Sequence, residues 1–195
     1  MTIIFATNNR HKFREIKAIL PSGITLLSPE DAGIGDDIPE TGDTLEENAM
    51  IKARIIYQRT GIAAFADDTG LEVESLGGAP GVMSARFAGE EKDMDRNIEK
   101  LLSLLDGKAH RKARFRTVIA LVYGTGEHLF EGVAGGTIIT EKRGSSGFGY
   151  DPVFLPDNSS LTFAEMEPEQ KYAISHRSEA FRKLAVFLDA NPGIQ

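Results

Sequence analysis

The chain contains no cysteine. Disulfides, iron–sulfur clusters, thiolate zinc sites and a cysteine nucleophile are therefore excluded, and a reducing compartment fits. Long apolar runs are also missing, and none approaches a membrane span. The opening Met1-Thr2-Ile3-Ile4-Phe5-Ala6-Thr7 is too short for the apolar part of a signal peptide and has no positive segment before it. These absences predict a cytoplasmic protein with no membrane partner. Positive charge is in deficit: 22 Lys and Arg against 29 Asp and Glu give a net charge of −7. A general nucleic-acid binder ordinarily concentrates basic residues to neutralise phosphates, so no nucleic-acid partner is expected. A small anion remains a plausible ligand wherever local cations are concentrated. There are no internal repeats, low-complexity tracts or linkers.

What is present is ordinary globular chemistry: 195 residues, 41% hydrophobic and 26% charged. That is enough chain to bury a core without staples. Short apolar runs alternate with amphipathic segments to the end, which predicts one α/β domain over residues 1–195. Thr2 to Ala6 reads as a strand. A helix follows, with Phe13, Ile16, Lys17 and Leu20 in helical spacing, and a polar loop runs from Ser28 to Asp43. Thr44-Leu45-Glu46-Glu47 has the form of a capping box, so a helix should start at Leu45, with Leu45, Ala49, Ala53 and Ile56 inward and Gly61 as its stop. Ile62 to Ala66 reads as a strand ending at Asp67-Asp68-Thr69-Gly70, and Leu71 to Glu74 as a separate short one. Gly77-Gly78-Ala79-Pro80-Gly81 has loop chemistry. A helix is expected around Asp93 to Leu105, then strands at Ala113–Tyr123 and Leu129–Ile139, the second bending at Gly135-Gly136. The glycine-rich segment Gly144 to Pro152 leads into Val153–Leu155, and Arg177 to Ala190 reads as the last helix.

Six places could carry chemistry. Thr7-Asn8-Asn9-Arg10-His11-Lys12 joins a strand to a helix, where backbone N–H groups and the helix dipole favour an anion. It lacks the glycines of a P-loop, and the ordinary alternative is a polar loop with a solvated lysine. Asp67 and Asp68 adjoin each other at an expected strand end. Mg²⁺ takes one or two carboxylates and fills its shell with water and phosphate, and a carboxylate beside it can activate water. The alternative is an Asp-rich turn. Glu40 sits among other acids, and nothing local singles it out. Lys52 shares a helix face with Asn48, and an exposed lysine is the usual case. Phe148, between glycines, could offer its ring to a nucleobase or plug the core beneath a turn. Lys171 and Ser175-His176-Arg177 precede the last helix and could donate to a base edge or belong simply to a helix start. The remaining histidines show no metal-ligand spacing.

Taken together, eight segments in order resemble the inosine/xanthosine triphosphate pyrophosphatase family. They are Ala6 to Lys12, Glu40-Thr41-Gly42, Glu47-Asn48-Ala49 with Lys52-Ala53, Ala66 to Leu71, Leu76 to Gly81, Ser84-Ala85-Arg86, Gly147 to Pro152, and Ile174 to Arg177. They cover nearly the whole chain. The resemblance implies an elongated central mixed sheet with flanking helices, two lobes around an active-site cleft, and a homodimer. It implies hydrolysis of ITP, dITP and XTP to monophosphate and pyrophosphate, with Mg²⁺ as cofactor. It also implies roles for single residues. Lys12, with Thr7 and Asn9, would hold the triphosphate, with Asn8, Arg10 and His11 in the same substrate-binding segment. Lys52 would touch phosphate, and Thr69 substrate. Glu40 and Asp68 would hold Mg²⁺, with Asp68 the base and Asp67 its support. Phe148 would stack on the base, Asp151, Lys171, His176 and Arg177 would line the base pocket, and Gly149 and Tyr150 would be substrate-binding. Two departures from the family pattern are visible: Thr69 stands where many relatives have serine, and Gly144-Ser145-Ser146-Gly147 replaces a run richer in glycine. A non-catalytic nucleotide-binding module and an enzyme for another nucleotide class, such as pyrimidine triphosphates, remain the rival readings.

Overall fold

A computed structural model describes residues 1–17, 20, 23–36 and 38–194, with the side chains of residues 10, 11, 14 and 15 excepted. The fold is mixed α/β. Its strands are β1 (Thr2–Phe5), β2 (Thr25–Leu27), β3 (Ala64–Val73), β4 (Pro80–Gly81), β5 (Lys112–Tyr123), β6 (Gly126–Ile138) and β7 (Phe154–Pro156). Its helices are α1 (Arg10–Lys17), α2 (Leu45–Thr60), α3 (Met94–Leu104), α4 (Pro168–Ile174) and α5 (His176–Ala190). The sheet has seven strands in the order β2-β1-β3-β5-β6-β7, with β4 paired to β3. β1 runs parallel to β2 and β3, whereas β3–β4 and β6–β7 are antiparallel. Contacts divide the chain into two compact units. One comprises Met1–Asp68, Thr117–Glu131 and Ala180–Gln195; the other comprises Thr69–Arg116 and Gly132–Glu179.

In the first unit, strand alternation sorts side chains onto two faces. Ile3, Phe5, Phe65, Ile119 and Leu121 pack with Ile16 of α1 and with Phe181, Leu184 and Leu188 of α5. The rings of Phe5 and Phe65 stack at 4.6 Å, and Phe181 meets each edge-on at 5.8 Å. On the other face, Ile4, Ala6, Ala64, Ala66, Ala120 and Val122 pack with Ala49, Ala53 and Ile56 of α2. Alanines on both surfaces leave little thickness between α2 and the sheet, so polar side chains further along α2 can reach the strand. In the second unit, Leu71 and Val73 of β3 pack with Ile98, Leu101 and Leu105, and with Phe115, Tyr150, Phe154 and Phe163.

α2 follows its sequence signals. The Thr44 side chain accepts from Glu47 N at 3.1 Å, and Gly61, left-handed at φ 67°, caps the other end by donating to Tyr57 O. The reciprocal half of the box differs: the Glu47 carboxylate accepts from Asp43 N at 2.7 Å, one residue before the cap.

Other expectations change. The strand expected to stop at Ala66 and the one expected at Leu71 are a single 10-residue strand. The Asp67-Asp68-Thr69-Gly70 run therefore lies inside β3, not at its end. Turn-forming residues stay extended there because β4 pairs beyond them, Leu71 with Gly81 and Glu72 with Pro80. Gly70 permits that approach, since a Cβ there would stand 2.6 Å from Gly81 O. Part of the loop expected at Gly77 to Gly81 is thus β4. β6 runs as one strand through Gly135-Gly136, while β2 and α4 carry no sequence expectation at all.

Candidate active site

Alternation along β3 decides where its two aspartates go. Asp67 shares a face with Phe65, toward α1; Asp68 shares a face with Ala64 and Ala66, toward α2. Each meets a lysine from the helix on its own side. Lys12 Nζ lies 2.8 Å from Asp67 Oδ2, a carboxylate only 1% exposed. Lys52 Nζ lies 3.5 Å from Asp68 Oδ1. Two adjacent carboxylates are tolerable here because they point apart and each faces a cation.

The start of α1 places Lys12. Asn9 Oδ1 accepts from Lys12 N at 3.2 Å, and Thr7 Oγ1 accepts from Asn9 N at 3.2 Å. The Asn9 side-chain oxygen thus caps the helix. Asn8 is exposed. The side chains of Arg10 and His11 lie outside those described.

For Lys52 the ordinary alternative in the sequence is an exposed lysine. Lys52 is instead 7% exposed. Its ammonium donates to Glu40 Oε1 at 2.8 Å and to the Asp67 carbonyl at 2.8 Å. Burial alone would lower its pKa. The charges of Asp68, Glu40 and Asp67 outweigh that, so the ammonium is held above the usual lysine range. Asp68 is likewise held above the usual carboxylate range: burial raises its pKa, Lys52 opposes, and Glu40 raises it further.

Glu40 reaches this cluster through a contact no local pattern reveals. Asn48, one turn before Lys52 on α2, is 1% exposed and accepts from Gly42 N at 2.8 Å through Oδ1. A Cβ at Gly42 would stand 2.6 Å from Glu47 Cβ, so only glycine allows this approach. Asn48 therefore pins the Glu40-Thr41-Gly42 turn to α2, and Lys52 gathers the carboxylate. Asn48 was noted in the sequence only as sharing a face with Lys52.

The second unit holds the other candidates. Asp151 is 3% exposed, accepts from Phe148 N at 2.8 Å and from Lys171 Nζ at 2.6 Å. Any side chain at Gly147 would collide with that carboxylate. Asp151 thus shapes the turn that presents Phe148 and holds Lys171 beside it. The Lys171 ammonium lies 5.3 Å from the Phe148 ring centre, and the Arg177 guanidinium 5.0 Å. Phe148 is half-buried, and it serves as a surface for cations instead of plugging the core. Tyr150 does the plugging: it is buried, and its hydroxyl donates to Ser84 O at 2.9 Å. Gly149 donates its N–H to Met94 Sδ at 3.1 Å, and Thr69 is half-buried in the same unit.

Ser175 caps α5. Its Oγ accepts from Ser178 N at 3.2 Å and lies 2.6 Å from Ser178 Oγ. His176 and Arg177 are therefore the first two residues of the helix. Neither is solvated: they are 3% and 5% exposed. The His176 ring stacks on Phe115 at 4.6 Å and 13°.

The described site residues thus fall into two sets. Lys12, Glu40, Lys52, Asp67 and Asp68 form one ion cluster; Phe148, Asp151, Lys171 and Arg177 form a second group, with His176 beside Arg177 in sequence. Among the described residues no group of three or more His, Cys, Asp or Glu could hold a metal, and no helix is long and apolar enough to cross a membrane.

Known proteins match along almost the whole length. The Ham1 family model matches residues 3–187. The chain is 55% identical over 188 residues to a dITP/XTP pyrophosphatase of Christiangramia forsetii, covering 96% of this chain and 99% of that protein. It is 54% identical over 187 residues to one of Porphyromonas gingivalis, covering 95% and 96%. The solved Ham1 protein of Staphylococcus aureus has the same fold, with a TM-score of 0.92 at 38% identity over 98% of this chain and 100% of that one. Sequence, fold and coverage agree without a gap between them, and the chain belongs to the Ham1 family.

Proposed function

We propose that this chain hydrolyses non-standard purine nucleoside triphosphates (ITP, dITP and XTP) to the monophosphate and pyrophosphate, clearing deaminated purines from the nucleotide pool. The observation that carries the reading is the ion cluster around β3: a partly buried carboxylate of raised proton affinity, Asp68, beside Lys52, with Lys12 on Asp67 next to it. The names of the C. forsetii and P. gingivalis relatives supply the substrate class.

A divalent cation suits this cluster. Its described side chains are two ammonium groups and three carboxylates, a net charge of −1, which would repel a triphosphate. Glu40 and Asp68 converge on one point, the Lys52 ammonium, from 2.8 and 3.5 Å. Two converging carboxylates are what Mg²⁺ takes from a protein when phosphate and water complete its shell. Bound there, Mg²⁺ would supply charge neutralisation for the phosphate oxygens.

The chain's own residues do the rest. Asp68 orients a water and takes its proton as the new oxygen–phosphorus bond forms at the α-phosphorus. The bond from that phosphorus to the bridging oxygen breaks, and pyrophosphate leaves with the electron pair. Lys12 and Lys52 hold the charge of the leaving group. Positioning and neutralisation are the main requirements of such a transfer, so no covalent nucleophile is needed. Phe148 stacks on the purine. His176 and Arg177 donate to the carbonyl at C6, which hypoxanthine and xanthine carry and adenine does not. Facing adenine, those buried donors would meet an amine, a mismatch that costs orders of magnitude in rate. We take the working form to be a homodimer, as the family resemblance implies, and its compartment to be the cytoplasm, as the composition suggests; sedimentation analysis tests the dimer.

The test is pyrophosphate release from all standard and deaminated triphosphates with Mg²⁺. ITP, dITP and XTP should be cleaved far faster than ATP. A pyrimidine preference would overturn the substrate class, and no release from any triphosphate would leave a binding module.

A further inference from the structure

We propose that Lys52 is the resting counter-ion of the metal site: in the metal-free protein its ammonium stands where the Mg²⁺ charge belongs, and it leaves Glu40 and Asp68 for phosphate when metal and nucleotide arrive together. The proposal rests on the reading of Glu40 and Asp68 as metal ligands.

The geometry is a closed one. An ammonium has three N–H donors. Three oxygens surround this one: Glu40 Oε1 at 2.8 Å, the Asp67 carbonyl at 2.8 Å and Asp68 Oδ1 at 3.5 Å. Lys52 lies 7% exposed, with its ammonium hydrogen-bonded inside the protein. Without it, Glu40 and Asp68 would face each other with like charge in a partly buried place, an arrangement that costs stability.

Two consequences follow for binding. Mg²⁺ alone must compete with an internal cation for the same carboxylate oxygens, which lowers its apparent affinity. A nucleotide gives the displaced ammonium a new anionic partner, so metal and nucleotide each strengthen the binding of the other. Lys12 is the internal control. It is a cation of the same cluster, but its partner is Asp67 on the opposite face of β3.

The experiment is titration with MgCl₂ alone, without nucleotide, followed by calorimetry and thermal unfolding. Wild type, Lys52→Met and Lys12→Met are compared. Lys52→Met should have the lower Tm without metal, a much larger Mg²⁺-induced rise in Tm, and an Mg²⁺ Kd tighter by roughly tenfold. Lys12→Met should gain far less. Equal Mg²⁺ responses in wild type and Lys52→Met would overturn the proposal, as would equal gains in the two variants, which would mean general relief of positive charge. Should Lys52→Met not fold, the wild-type chain answers by lysine methylation mapped by mass spectrometry. Saturating Mg²⁺ should raise the reactivity of Lys52, and unchanged protection would overturn the displacement. If neither Glu40→Gln nor Asp68→Asn weakens Mg²⁺ binding, the metal assignment itself has failed, and the proposal falls with it.

Discussion

The two sets of candidate residues satisfy their cations in opposite ways. Around β3, Lys12 and Lys52 are held by carboxylates, and Lys52 sits among three acidic residues. Around Phe148, Arg177 lies over an aromatic ring, and Lys171 lies beside two rings with one carboxylate, Asp151. Carboxylate-held cations can exchange partners with a phosphate or a metal, because like interactions replace like. A cation over a ring is held in part by the electron-rich face of an uncharged aromatic group. The first arrangement suits charge transfer during bond cleavage, and the second suits recognition of an uncharged base. Mutations in the first set should change rates for every nucleotide, and mutations in the second should change the ratio between nucleotides.

The largest effect should come from Asp68→Asn, which keeps shape and removes the base. Turnover of ITP should fall by about 10²–10⁴-fold. Stability should move the opposite way. Asp68 has a folded pKa raised above its unfolded value by burial, so the native state binds that proton more tightly than the unfolded chain. The charge therefore destabilises the fold above the folded pKa, and the cost disappears as pH falls below the unfolded value. Without metal, Asp68→Asn should melt above wild type at neutral pH, and the two should converge in acid. A variant that loses activity and also loses stability at neutral pH would mean that Asp68 is chiefly structural.

Lys12→Ala comes next. Loss of a charged donor to phosphate should cost about 1.5–3 kcal/mol, roughly 10–150-fold in kcat/KM. ITP and ATP should fall alike, since phosphate carries no information about the base. Asp67 would lose its lysine partner in a site where it is 1% exposed, so Tm should drop as well. Adding Asp67→Asn should recover Tm without recovering rate. A shifted ITP-to-ATP ratio would move Lys12 out of the phosphate set and erase the contrast between the two regions.

Arg177→Ala should sharpen the contrast from the other side. Its loss should cost ITP and XTP about 1.5–3 kcal/mol and ATP much less, narrowing discrimination by roughly one to two orders of magnitude. Its position, 5% exposed and 5.0 Å over Phe148, removes the alternative of a solvated helix-start residue. Steady-state kinetics on the three substrates decide. Equal losses for all three would show that Arg177 only supports the Phe148 turn.

How much of this was legible in the sequence depended on the range of the interactions. α2 was legible from Thr44 to Gly61 because caps and a buried stripe are local devices. The aspartate pair was found but misplaced at a strand end. Asp-Asp-Thr-Gly is turn chemistry, and only pairing with distant β4 and the two lysines keeps it extended. Glu40 had no local signal; its place depends on Asn48, which holds Gly42 six residues before it, and on Lys52, twelve residues after Glu40. α4 buries none of its residues, so it lacks the apolar periodicity that reveals a helix. β2, at three residues, is too short for alternation to show.

The smallest effect should come from Ser175→Ala. Ser175 Oγ accepts the Ser178 N–H at 3.2 Å and shares a hydrogen bond with Ser178 Oγ at 2.6 Å, both buried. Removing an N-cap hydroxyl costs about 1 kcal/mol, so Tm should fall by about 2–4 °C in a chain of this size. The next two residues are His176 and Arg177, whose directions are set by how the helix begins. If the cap positions them, kcat/KM for ITP should drop by no more than about fivefold while ATP stays closer to wild type. Ser175→Thr, which keeps the hydroxyl, should restore both Tm and discrimination. If Ala lowers Tm but leaves the ITP-to-ATP ratio untouched, the cap stabilises α5 without aiming its first turn, and Phe115 and Phe148, the rings that His176 and Arg177 lie against, become the elements that hold the two donors in place.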